Sequence, residues 1–79
     1  MSNSKEETIN ILVEQLQINK DEVSEDLTFG DLPQWDSLGH MMLMSVLEEK
    51  YGEEITTEAI AELVNFKAIR GYIEKHSHG

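Results

Sequence analysis

The sequence lacks cysteine altogether, and it has one proline, few basic residues and no long apolar run. Without cysteine, neither a disulfide nor a thiolate-bound metal can stabilise a chain of 79 residues, so its fold must rely on helix packing. The apolar runs are far too short for a membrane span, and the N-terminus lacks the apolar region of a signal peptide. These absences predict one cytoplasmic domain over residues 1–79, with frayed tails at about 1–4 and 76–79 and no membrane insertion.

Basic residues are scarce relative to acidic ones, with six Lys and Arg against sixteen Asp and Glu and a formal net charge of -10. A chain this acidic repels phosphate backbones and anionic lipids, which argues against nucleic acid as a partner. It suits partner proteins with basic patches, which its electric field would steer towards it. The same acidity also keeps a small domain in solution, and charge alone does not separate these two interpretations.

Motifs for metal binding and catalysis are missing as well. The acidic segment 18–36 lacks the D-x-D-x-D-G pattern of a calcium loop, and His76 and His78 fall in the predicted tail, so no metal site is expected. No Gly-rich phosphate loop and no HExxH motif occur. His40 follows Ser37 by three residues on one predicted helix, but it belongs to an inward-facing stripe. We therefore expect a non-catalytic protein.

The chain does contain clear helical periodicity. Ser4 and Glu7 have the spacing of a capping box, and apolar residues then recur at i, i+3, i+4 and i+7, which predicts a helix at about 5–17. Turn-forming residues interrupt the period from 18 to 36, so this segment is predicted to be a long loop. Loops of that length are unusual in small domains. We expect this one to be held on the helices by its apolar residues Ile18, Val23, Leu27, Phe29, Leu32 and Trp35.

Further helices are predicted after the loop. A long one at about 37–51 ends at Gly52, which suits the left-handed conformation that follows many helices. A short helix at about 57–63 and a last helix at about 66–75, capped by Asn65, complete the chain. The predicted fold is an all-α, small antiparallel four-helix bundle, with three longer helices, one short helix and a long loop between helices 1 and 2.

The helix predicted at 37–51 has apolar residues on two faces. One set has the spacing of an inward stripe and comprises His40, Leu43, Met44, Leu47 and Tyr51. A second set follows the same spacing on another side and comprises Leu38, Met41, Met42 and Ser45. The second face is either covered by the long loop or exposed as a docking surface, for which adaptable methionine side chains are well suited. Glu48 and Glu49 make the end of this helix acidic.

Ser37 lies at the junction between the loop and this helix. A serine there either caps the helix or offers its hydroxyl for covalent modification. A phosphate on that hydroxyl would lie at the positive end of the helix dipole, where an anion is stabilised. Asp36 can cap the helix in its place and leave the Ser37 hydroxyl free.

Four stretches of the chain occur in an order and at a spacing found together in one known family. They are Asp36-Ser37-Leu38 at the start of an apolar helix, Leu47-Glu48-Glu49-Lys50-Tyr51-Gly52 at its end, Glu54-Ile55-Thr56 before a short helix, and Gly71-Tyr72-Ile73 near the C-terminus. Together they resemble the acyl carrier proteins. The resemblance covers nearly the whole chain and is therefore much more specific than the triplet D-S-L alone.

The resemblance implies that Ser37 carries 4'-phosphopantetheine, transferred from coenzyme A by a separate phosphopantetheinyl transferase, and that Asp36 matches the acid before the family's serine. The thiol of this arm would hold an acyl or aminoacyl group as a thioester. A monomer would receive it from a loading enzyme and present it to synthase, transferase or thioesterase partners. The residues implied in docking are Leu38, Met41, Met42, Glu48 and Glu49, and those facing the interior, where some members shelter cargo, are His40, Leu43, Met44 and Leu47.

The sequence departs from the common fatty-acid carriers around Ser37. The run Leu32-Pro33-Gln34-Trp35-Asp36 stands where Leu-Gly-x-Asp is more usual, and Gly39 and Met42 replace acids. The departures favour a specialised carrier from a secondary-metabolite, polyketide-like, aminoacyl-loading or surface-polymer pathway. The competing interpretation is a helical adaptor whose patch of Leu38, Met41 and Met42 binds one partner, with Ser37 serving only as a cap.

Overall fold

The computed structural model describes residues 3–76. Its α-helices are α1 (Ser4–Leu16), α2 (Ser37–Tyr51), α3 (Thr57–Glu62) and α4 (Phe66–His76). Helix α1 contacts both α2 and α4. The predicted all-α bundle of three longer helices and one short helix is confirmed, and the observed helix ends lie within one residue of the predicted ones. No helix in this described range is both long and apolar enough to cross a membrane.

The start of α1 differs from the prediction. Residues 1–2 lie outside the described part of the chain, but Ser4, which was expected in a frayed tail, is a buried residue of the helix. The predicted capping box of Ser4 and Glu7 is also wrong. The Ser4 hydroxyl donates to the Glu74 carboxylate at 3.1 Å and accepts a bond from Arg70 Nε at 3.2 Å. Charged partners on α4 hold this hydroxyl more strongly than a backbone amide would, since charge-assisted hydrogen bonds are the stronger ones.

The prediction of a C-terminal tail over residues 76–79 is wrong at His76. His76 is the last residue of α4, and its Nδ1 lies 2.8 Å from a carboxylate oxygen of Glu53. The contact anchors the end of α4 to the connection between α2 and α3. The rest of the expected tail, residues 77–79 with His78, lies outside the described residues.

The long connection between α1 and α2 is ordered by both backbone and side-chain contacts. It contains an unpredicted turn of 3-10 helix at Lys20–Glu22, and it pairs with the segment before α4 through a bridge between Thr28 and Asn65. As expected, apolar side chains hold it on the helices: Ile18, Leu27 and Trp35 are buried, and Val23 and Leu32 are partly so. Phe29 is the exception, since it remains 38% exposed.

One apolar core lies between the helices and this connection. It contains side chains from every helix except α3, together with residues of the loops, and comprises Ile11, Leu12, Leu16, Ile18, Leu27, Trp35, Leu43, Met44, Leu47, Ile55, Leu63, Phe66, Ile69 and Ile73. The predicted caps are also present: Asn65 Oδ1 accepts the Ala68 N–H at 2.8 Å, and Gly52 ends α2 with a φ of 71°.

A contact between two tyrosine rings joins the far end of α2 to α4. The rings of Tyr51 and Tyr72 meet edge to face with centroids 6.1 Å apart. Both hydroxyls are buried without a hydrogen-bond partner among residues 3–76. Burial, together with the nearby Glu7 carboxylate, raises the pKa of Tyr51 to about 12, and burial also raises the pKa of Tyr72. Both phenols therefore stay neutral at physiological pH.

Candidate functional site

The start of α2 is capped by Asp36. Its backbone is extended, its Oδ1 accepts the Gly39 N–H at 2.9 Å, and its carbonyl accepts the His40 N–H at 2.8 Å. Ser37 is thus the first residue inside the helix, and its side chain is exposed. The interpretation of Ser37 as the cap is wrong, because the aspartate before it does this work. Its hydroxyl makes no hydrogen bond with the other described residues.

The residue before Asp36 anchors the junction in the core. Trp35 is completely buried, and its indole N–H donates to Nδ1 of His40 at 3.1 Å. The other ring nitrogen of His40, Nε2, lies 2.9 Å from the carbonyl oxygen of Ile60 in α3. A carbonyl only accepts, so these partners assign the hydrogen to Nε2 and leave Nδ1 as the acceptor, which is the neutral imidazole. One histidine therefore connects the loop end, α2 and α3.

Gly39 allows the loop to pack tightly against the first turn of α2. A side-chain Cβ at this position would overlap the backbone oxygen of Gln34 and would come within 2.9 Å of Leu16 Cδ2. An acidic residue, which the family resemblance leads us to expect here, therefore cannot be placed without moving the loop. This packing favours a residue without a Cβ, and position 39 therefore contributes no acidic charge beside Ser37.

The second apolar face of α2 is exposed, as one of the two alternatives predicted. Leu38 is 71% exposed, Met41 49% and Met42 44%. The long loop leaves them exposed: its Trp35 bonds to the inward-facing His40, and its Gln34 only borders the groove that Leu38 and Met42 line. An apolar surface of this kind next to a free hydroxyl is suited to contact with another protein.

Two shallow grooves separate this face from α1. One, of about 300 Å³, is lined by Gln15, Met41, Met42, Ser45, Val46 and Glu49. The other, of about 330 Å³, is lined by Gln15, Leu16, Gln17, Gln34, Asp36, Leu38, Gly39 and Met42. Met42 and Gln15 line both grooves. No basic side chain of the described chain lines either groove, so a partner meets apolar groups, neutral amides and two carboxylates.

The two glutamates predicted for docking have different surroundings. Glu49 lines the first groove beside Met41 and Met42. The carboxylate of Glu48 instead accepts the backbone N–H of Ile55 at 3.1 Å, which helps to fix the turn after α2. Glu48 is nevertheless exposed, so one acid borders the apolar face directly and the other stabilises the helix end beside it.

Comparison with known proteins agrees with this geometry. Residues 6–73 match the family described as phosphopantetheine attachment site. An acyl carrier protein from Zymomonas mobilis subsp. mobilis is 33% identical over 76 residues, which span 96% of this chain and 97% of that protein. The chain belongs to the acyl carrier protein family. Acyl carrier proteins are non-catalytic and carry covalently attached 4'-phosphopantetheine, so family membership confirms both the expected cofactor and the expectation that this carrier is not an enzyme.

The inward-facing residues of the carrier lie where the periodicity placed them. His40, Leu43, Met44 and Leu47 are all buried in the core. Both nitrogens of His40 are bonded to other parts of the protein, and these four side chains line neither of the two grooves described above. Their role in sheltering cargo stays a prediction.

Several residues of the carrier's site were missed by the sequence reasoning. Gln15, Gln17 and Gln34 line the grooves, but they are polar residues of α1 and the loop, and nothing in their spacing marks them. Ile60 takes part through its backbone oxygen, which no side-chain pattern reveals. Trp35 was expected to hold the loop in place, and its position directly before Asp36-Ser37 was the signal available for its role at the junction.

Proposed function

We propose that Ser37 is the residue to which this carrier attaches 4'-phosphopantetheine. The observation that carries the proposal is that adjacent residues have different roles. Asp36 caps α2 by accepting the Gly39 N–H, and the Ser37 hydroxyl is left exposed. Ser4, by contrast, is buried and bonded to α4. Ser37 is therefore the serine that combines an exposed hydroxyl with the family's Asp-Ser-Leu motif at a helix start.

The surroundings of Ser37 fit a phosphodiester. Its oxygen lies at the N-terminus of a helix of 15 residues, where the partial positive charge of the helix end stabilises an anion. When bound, the arm supplies a terminal thiol that holds an acyl or aminoacyl group as a thioester. The chain's own residues hold the attachment point at the surface: Trp35 anchors the loop, Asp36 ends it, and α2 fixes the direction of the first turn.

We further propose that the exposed face of α2 is the docking surface for partner enzymes. Its apolar members are Leu38, Met41 and Met42, and its acids are Glu49 at the groove and Glu48 beside it. A phosphopantetheinyl transferase, a loading enzyme and later synthase, transferase or thioesterase partners would each bring a basic rim around an apolar contact. Small transient contacts are weak and fast, which suits a monomeric carrier that visits several enzymes.

The departures around Ser37 support a specialised carrier in preference to the housekeeping fatty-acid type. Gly39 and Met42 make the surface near Ser37 less acidic and more apolar than an acid at each position would. We propose that the partner surfaces facing Gly39 and Met42 are correspondingly less basic. We also propose that the carrier works in the cytoplasm on acyl or aminoacyl cargo of a secondary-metabolite or surface-polymer pathway.

The attachment site is tested by intact mass. The purified carrier is incubated with coenzyme A, magnesium and a broad-range phosphopantetheinyl transferase, and the mass of one added phosphopantetheine is sought. Ser37→Ala should abolish the addition completely. Ser24→Ala is the control, since it removes another exposed serine, one that lies outside the proposed docking surface, and should be modified like the natural chain.

Addition to Ser37→Ala would place the arm elsewhere and overturn the assignment. An unchanged mass of the folded natural chain would favour the helical adaptor. The adaptor interpretation needs Ser37 to be the cap of α2, whereas that cap is Asp36.

A further inference from the structure

His40 is placed differently from the other inward residues of α2. Leu43, Met44 and Leu47 contribute only apolar contacts, whereas His40 makes two directional bonds in opposite directions. Its Nδ1 accepts the indole N–H of Trp35, which stands two residues before Ser37. Its Nε2 donates to the carbonyl oxygen of Ile60. A buried polar ring satisfied at both nitrogens specifies one arrangement of the three segments it connects.

Helix α3 depends on this ring more than the other helices do. None of its own side chains is fully buried, and Ala59 and Ile60 are only partly covered. Its first turn is capped by Thr56, whose hydroxyl accepts the Ala59 N–H at 3.1 Å, but that bond lies within the segment itself. The bond from His40 to Ile60 ties the helix to α2, so it is a principal directional restraint on the position of α3.

We propose that His40 is a positioning residue for the reaction at Ser37, holding the loop end that carries Ser37 and helix α3 in one fixed arrangement. The proposal rests on attachment at Ser37. Loss of the Trp35 bond would free the loop end, so that only part of the population would present Ser37 as it stands in this structure. An enzyme that modifies only this conformer would then show a higher KM with an unchanged kcat, because apparent affinity falls with the competent fraction.

The two bonds can be removed separately by amide isosteres. In His40→Asn the side-chain oxygen takes the place of Nδ1 and keeps an acceptor for Trp35, but nothing reaches Ile60. In His40→Gln the amide nitrogen takes the place of Nε2 and keeps a donor for Ile60, but the acceptor for Trp35 is lost. Trp35 is the single tryptophan of the chain, so hydrogen exchange of its indole N–H reports on the loop end without ambiguity.

Each variant should change a different set of measurements. In His40→Gln the Trp35 indole proton should exchange roughly two- to tenfold faster, because one hydrogen bond is lost. The KM of the phosphopantetheinyl transferase should rise by a similar factor, with kcat unchanged. His40→Asn should leave both values near those of the natural chain and instead speed amide exchange in α3. A merely structural role would move every readout in both variants, and that result would overturn the proposal.

A measurement on the natural chain keeps the proposal testable if neither variant folds. Nitrogen-15 NMR of the imidazole of His40 should show the hydrogen on Nε2 and an unprotonated, hydrogen-bonded Nδ1. A hydrogen on Nδ1 would overturn the proposal. The NMR and exchange readouts need no modification, so they separate failure at His40 from failure at Ser37, which would appear as an unmodified natural chain.

Discussion

The two apolar faces of α2 contain the same kinds of residue but have different roles. Leu47 and Met44 are buried in the core, whereas Leu38 and Met42 remain exposed. Hydrophobicity therefore does not distinguish the faces. The difference lies in which side of the helix α1 and the loop cover. One face therefore stabilises the fold, while the other stays available to partners.

The largest effect is expected at the buried face. Leu47→Ala should lower the free energy of unfolding by about 2–5 kcal/mol, because it removes packed atoms and leaves a cavity in the core. Thermal or urea denaturation measures the loss, which is a large share of the stability of a small domain. Leu38→Ala removes the same atoms from the exposed face and should cost far less. Equal losses would mean that the two faces do not differ as described.

An intermediate effect is expected where the loop meets α2. Gly39→Ala should lower the melting temperature, because the added Cβ meets a backbone oxygen and Leu16, and overpacking of this kind costs about 1–3 kcal/mol. The gain in helix propensity from Gly to Ala, at most about 1 kcal/mol, offsets only part of this cost.

Gly71→Ala is the matched control for that measurement. Gly71 lies inside α4, and a Cβ there meets nothing within 4 Å. This variant should gain up to about 1 kcal/mol and melt at a higher temperature. A stabilised Gly39→Ala would show that the loop yields easily, and the packing explanation for the missing acid would be wrong.

The smallest effect on stability is expected at the exposed face. Met42→Glu should change the free energy of unfolding by no more than about 0.5 kcal/mol, as is usual for a surface substitution, and should alter transfer rates with partner enzymes. Met44→Glu is the control on the same helix, and it should lose the fold because it buries an unpaired charge. A large loss of melting temperature in Met42→Glu would show that this methionine belongs to the core.

Much of the fold and site followed from local patterns. The helix bounds came from the apolar period, and the cap at Asn65 came from a residue that accepts a backbone bond at a helix start. The exposed second face of α2 was predicted as one of two alternatives. These features depend on residues a few positions apart, so the sequence contains the information directly.

Other features required residues far apart in the chain. Ser4 had the local spacing of a capping box, but Arg70 and Glu74 took its hydroxyl instead. His40 was expected only to line the interior, because neither the Trp35 indole nor the Ile60 carbonyl could be placed beside it from spacing. Such contacts depend on how the helices pack, which periodicity does not give.

By itself, the sequence determined the four helices, the acidic charge, the family and the serine that stands at the start of α2. Only the tertiary structure decided that Asp36 caps the helix, that Ser37 stays exposed, and that the loop leaves Leu38, Met41 and Met42 uncovered. The reason is physical: a repeating pattern fixes which side of a helix is apolar, but burial depends on the neighbour that comes to lie against it.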